Sequence, residues 1–71
     1  MKEYTAIYEQ AGGSFSAYVP DLPGCVTTGT TLEETEANMR EAIQLYIETL
    51  REDGKPIPEP TTKAGPIAVA A

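Results

Sequence analysis

Histidine is absent from these 71 residues and cysteine occurs once, at Cys25. Without an imidazole, a serine or cysteine nucleophile lacks its usual base, and no thiolate and imidazole cluster can form around zinc. A lone cysteine makes no internal disulfide. Long apolar runs are also missing. Nothing approaches the roughly 20 residues of a spanning helix, and the first residues lack the basic-then-apolar layout of a signal peptide. A soluble cytoplasmic protein without membrane attachment is expected. Bases are scarce: five Lys and Arg stand against eleven Asp and Glu, for a formal charge of −6. Such a balance repels phosphate backbones and attracts basic partners. A chain this short forms one domain that buries only roughly 60% of its unfolded surface. With disulfide and metal excluded, association into a dimer or tetramer is the expected source of further burial.

What the sequence does have is alternation, turn residues and one long amphipathic stripe. Residues 3–9, EYTAIYE, set Tyr4, Ala6 and Tyr8 opposite Thr5, Ile7 and Glu9, which predicts a strand. Paired glycines follow, and residues 14–19, SFSAYV, alternate again, so the two runs make a hairpin. The stretch VPDLPGC is rigid: Pro20 cannot donate to a ladder, and Pro23 followed by Gly24 is the signature of a type II turn. A third short strand is expected at 25–28, completing an antiparallel meander.

A helix is predicted over 32–53. Thr31 and Glu34 have the spacing of a capping box, and Leu32, Thr35, Met39, Ala42, Ile43, Tyr46 and Leu50 form one stripe. Gly54 ends it. Alternate prolines in residues 55–60 predict an extended strap, and a last short strand is expected at 67–69. Counting directions sets this fourth strand parallel to the first, on its free edge, with spatial order 3-2-1-4 and the helix across one sheet face. The fold class is α+β. Both faces of the first two strands carry apolar or aromatic side chains, so the uncovered face calls for a partner.

No constellation for catalysis is evident. Glu33, Glu34 and Glu36 read as cap and solvated helix face. Asp21 reads as a turn carboxylate accepting backbone amides; a role as ligand or base would need further acids converging on it. Cys25 reads as a small hydrophobe with no basic neighbour to activate it, and Met39 and Tyr46 as core. Neither a metal nor a cofactor is expected.

The run AYVPDLPGC followed by GTTLEETEANMREAIQLYIETLREDGKPIPEP resembles the HicB-like domain, the antitoxin half of HicA/HicB toxin-antitoxin pairs, over about positions 4–60. The most specific parts are residues 20–24 and the ending from Gly54 to Pro60. The resemblance implies a β-β-β-α-β unit like a partial ribonuclease H fold without its catalytic apparatus. It also implies a binding function, the masking of a small basic HicA-like toxin that cleaves mRNA. Candidate partner-contacting residues are Tyr18, Asp21 and Leu22. Pro20, Pro23, Gly24, Thr31, Glu34 and Gly54 are expected as structural turn and cap residues. Many members carry a C-terminal DNA-binding module, whereas eleven residues follow Pro60 here, so a short form without direct DNA binding is expected. The competing readings are a solitary oligomeric domain with another protein or small-molecule partner, and a residual metal-dependent nuclease using Asp21 with a helix glutamate.

Overall fold

A computed structural model describes residues 1–71, with three strands, β1 (Ile7–Ala11), β2 (Ser14–Tyr18) and β3 (Val26–Gly29), and one helix, α1 (Leu32–Glu52). The strands form an antiparallel sheet in the order β1-β2-β3. Ala11 pairs with Ser14 across a two-residue turn whose first residue, Gly12, has φ of 62°. Only glycine takes that conformation cheaply, and a single positive φ at the first central position matches the twist of a hairpin.

This turn sets the register. Ile7 pairs with Tyr18 and Tyr8 with Ala17, while Ala17 pairs with Thr27 and Tyr18 with Val26. Facing partners share a side of the sheet. Tyr8 and Ala17 therefore lie on the helix side with Thr27, and Ile7, Tyr18 and Val26 form a row on the open side. The first strand begins four residues later than its alternation suggested, at Ile7 rather than residue 3. Continuing the register would set Thr5 against Pro20, which has no N–H to give, and the chain is already turning there.

The core is small: Ala17, Val19, Leu22, Cys25 and Met39, with Tyr4, Ala6, Tyr8, Ala42, Ile43 and Tyr46 packed around it. Helix α1 lies on β3 and β2 and stays clear of β1. Its approach to β3 is close because Gly29 has no side chain, which lets buried Thr35 sit against the strand. Thr35 also donates its hydroxyl to the Thr31 carbonyl at 2.7 Å, so its polar atom is satisfied.

The helix start differs in one detail from a capping box. The Thr31 hydroxyl accepts from the Glu34 amide at 3.0 Å, but the Glu34 carboxylate reaches to Thr30, accepting from its amide at 3.0 Å and its hydroxyl at 3.3 Å. Leu32, placed on the apolar stripe by its spacing, is half exposed because the stripe meets the sheet only from Thr35 onward. At the other end Gly54, at φ 66°, donates to the Arg51 carbonyl at 3.1 Å, and the Lys55 amide reaches the Leu50 carbonyl at 2.9 Å. These two bonds form a Schellman ending.

The fourth strand expected at 67–69 does not form within the chain. Residues 63–71 are exposed throughout and make no hydrogen bond, with Ile67 84% and Val69 78% accessible. Their alternation is suited to a ladder, but the chain leaves its own body after Thr62 and meets no strand edge there.

Candidate interaction site

VPDLPGC folds as two consecutive turns sharing one residue. The Leu22 amide donates to the Val19 carbonyl at 3.1 Å, closing a turn through Pro20 and Asp21. The Cys25 amide donates to the Leu22 carbonyl at 3.0 Å, closing a second through Pro23 and Gly24. Gly24 has φ of 82°, as a type II turn requires. Val19 donates to Cys25 at 3.1 Å and seals the base of the corner. With both proline turns bulging outward, the shared residue Leu22 points into the core and is fully buried.

Two distant segments hold this corner. Tyr46 on α1 donates its hydroxyl to the Pro23 carbonyl at 2.9 Å. Asp21 accepts four hydrogen bonds from the two threonines that continue the strap beyond Pro60: the Thr61 amide at 3.0 Å, the Thr61 hydroxyl at 3.0 Å, the Thr62 amide at 2.9 Å and the Thr62 hydroxyl at 2.9 Å. The Thr62 amide is the main cause holding the Asp21 carboxyl below its ordinary value of 3.8. Partial desolvation opposes it, and the Thr62 hydroxyl, the Thr61 hydroxyl and the Thr61 amide add to it. Further along, the Thr5 hydroxyl donates to the Thr62 carbonyl at 2.9 Å, the Tyr4 hydroxyl to the Pro58 carbonyl at 2.6 Å, and Lys2 pairs with Glu59 at 2.7 Å.

The three candidate contact residues are thus put to different uses. Tyr18 stands on the open sheet face, 41% exposed, between Ile7 and Val26. Asp21 is a clamp on the strap and accepts amides from 40 and 41 residues away, not from its own turn. Leu22 is core and has no surface to offer a partner. Burial pushes the Cys25 thiol above its ordinary 9.0, and its sulfur lies 3.9 Å from that of Met39. No group of three or more His, Cys, Asp or Glu side chains is placed to hold a metal ion. No helix is long and apolar enough to cross a membrane.

The acids are unevenly spread. Seven of the eleven, Glu33, Glu34, Glu36, Glu41, Glu48, Glu52 and Asp53, lie on α1 or its C-cap, against two bases, Arg40 and Arg51. The spacing of Glu34, Glu41, Glu48 and Glu52 sets them along one line of the helix, about 27 Å long at about 1.5 Å per residue. Sequence composition revealed the charge, and helical spacing would have revealed this line. Beside it are Leu45, 65% exposed, and an open groove of about 430 Å³ between α1 and the corner, with Val26, 65% exposed, on its far wall. The other flank of α1 carries mixed charge: Glu36 and Arg40, paired at 3.7 Å, with Glu48 and Arg51 along a wider groove toward β1.

The family model for the HicB-like antitoxin of bacterial toxin-antitoxin systems matches residues 4–68. The chain is similar to a UPF0150 protein of Synechocystis, 37% identical over 93% of this chain and 85% of the relative. It is also similar to a UPF0150 protein of Thermoplasma acidophilum, 41% identical over 82% of this chain and 84% of the relative. A UPF0150 protein of Archaeoglobus fulgidus is 39% identical over 78% and 83%. No solved structure matches. Because the matched span takes in the double-turn corner, the capped helix and the strap that Asp21 clamps, the chain belongs to the HicB-like antitoxin family.

Proposed function

We propose that this protein is an antitoxin-type binding module that masks a small basic HicA-like ribonuclease, and that the toxin docks on the acidic line of α1. The observation that carries this reading is the concentration of carboxylates on one helix, arranged about an exposed apolar patch. Glu41, Glu48 and Glu52 take no part in any ion pair, so their charge is available to a partner. Leu45 lies beside them on the helix, Val26 faces it across the open groove, and Tyr18 pairs with Val26 on the open sheet face. A patch that is apolar at its centre and charged at its rim has the layout of a protein interface. Exposed charges at such a rim steer the encounter, and the apolar centre slows dissociation.

The alternative of a residual metal-dependent nuclease has less support. Asp21, the acid it would start from, has its carboxylate engaged by four donors from the strap. A toxin that cleaves mRNA acts in the cytoplasm, and this reading puts the chain there.

Surface plasmon resonance with an immobilised basic HicA-like toxin tests the proposal. Changing Glu41, Glu48 and Glu52 together to Gln should slow association on the order of tenfold at low salt. Leu45→Ala should act mainly on dissociation. Equal association rates for the wild type and the triple variant would rule out the helix as the docking face. Absence of binding to any such toxin would favour a solitary domain with another partner.

A further inference from the structure

The tail that finds no strand edge and the strand edge that finds no tail are complementary. Residues 63–71 are exposed at every position, and the chain is correspondingly drawn out: its Cα radius of gyration is 13.8 Å and its longest extent 48 Å. A compact chain of this length would have a radius of gyration of about 11 Å. Within the tail, Ile67 and Val69 share one side of an extended chain, and the small Ala68 and Ala70 the other.

On the body, β1 is an outer strand with one unpaired edge, and between Ile7 and Ala11 it has no proline or lysine to discourage pairing. The edge of β3 is less available. Asn38 on α1 donates its side-chain amide to the Thr28 carbonyl at 2.9 Å, and the helix start crowds Gly29. Next to β1, where α1 does not reach the strand, an open groove of about 1010 Å³ has Tyr4, Ala6, Tyr8, Ile43 and Ile47 among its lining residues, with charged side chains such as Arg40 and Arg51 along its helix side. A strand added to the β1 edge would turn alternate side chains into that groove.

We propose that two copies of this chain exchange tails, residues 65–70 of each adding as an extra strand along the β1 edge of the other, with Ile67 and Val69 filling the groove between β1 and α1. The exchange is reciprocal, so one two-fold axis satisfies both tails and both edges and closes the assembly. It supplies in trans the fourth strand that each chain lacks. Need for it is visible in the burial: 6 of 71 residues are buried in the single chain, and domains of this size commonly require a partner. The nine residues after Thr62 can extend about 30 Å, against about 17 Å for the five residues of β1, so the reach is sufficient. This assembly lies beyond the toxin-binding reading and uses the β1-side flank of α1, meeting the acidic line only at Glu48.

Sedimentation equilibrium of the full chain, with no toxin present, should give a dimer mass. Ile67→Asp with Val69→Asp should give a monomer with unchanged far-UV circular dichroism, because both side chains are exposed in the single chain and their loss costs its fold nothing. To locate the tail, a Cys25→Ala, Ala70→Cys chain carrying a nitroxide is mixed with isotope-labelled, spin-free protein. Broadening is expected at the amides of Ile7–Ala11. Monomer at hundreds of micromolar, a dimer untouched by the double substitution, or broadening confined to the Tyr18 face would each overturn the exchange.

Discussion

Gly29→Ala is the most severe small substitution that this packing implies. Gly29 ends β3 opposite Phe15, where the first turn of α1 comes down on the sheet. A methyl group there would overlap the Thr35 hydroxyl and stand 2.8 Å from the Thr35 nitrogen and 3.0 Å from its Cα. Comfortable separations are about 3.5–4.0 Å, so helix and strand must part by about 1 Å. Overpacking of this kind costs about 1–3 kcal/mol. Turning the Thr35 side chain away would break its 2.7 Å bond to the Thr31 carbonyl, at about 1 kcal/mol more. Against this, replacing glycine stiffens the unfolded chain and returns about 0.4–1 kcal/mol. A net loss of about 2 kcal/mol is expected. With a slope of about 1 kcal/mol per molar urea, the midpoint falls by about 2 M. The measurement is urea unfolding followed by circular dichroism, with all variants at one protein concentration because association contributes to stability. Gly13→Ala is the control, since nothing lies within 4 Å of that position and its φ is not positive. If the two substitutions shift the midpoint equally, the close approach at Gly29 does not carry the cost assigned to it.

Three further outcomes are expected. Asp21→Asn should loosen the strap, because an amide replaces one acceptor oxygen with a donor facing the Thr61 and Thr62 donors; hydrogen exchange at those two amides should speed up at neutral pH. In the wild type the same release should come with acid: the folded carboxyl titrates below its ordinary 3.8, so its stabilisation is complete above that value and is lost as pH falls through the lowered one. Protection of the Thr61 amide, corrected for the intrinsic pH dependence of exchange, that stays unchanged once the carboxyl is protonated would contradict the clamp. Gly24→Val should cost about 1–3 kcal/mol, read as a lower urea midpoint, because valine resists the positive φ of 82° found there. Finally, the acidic chain alone should show no affinity for duplex DNA in a mobility shift at 0.1 M salt, and tight binding would overturn the charge argument.

The local structure was legible because its causes are local. Glycine pairs, the Pro23-Gly24 dipeptide, helical periodicity and a threonine cap each act within a few residues, and the hairpin, the type II turn and α1 follow from them. The corner also carried enough pattern to suggest the family. Even so, the same residues did not announce their packing. Leu22 looked like part of an exposed corner, but two turns sharing it force it inward. Gly29 attracted no notice because its φ is ordinary and its importance lies in what approaches it.

What the amino-acid sequence determined alone is therefore the three-stranded meander and the helix, the acid excess and the absence of histidine chemistry, all properties of neighbours along the chain or of simple counts. Tertiary structure decided the rest. It gave Asp21 its partners 40 residues away, laid α1 on β2 and β3 clear of β1, and left β1 with an open edge and residues 63–71 without one. The physical reason is that a strand's alternation states only that it will pair, since its ladder bonds lie across the chain and not along it. Which edge it meets depends on where the strap is tied, and that is set by the threonines that Asp21 holds.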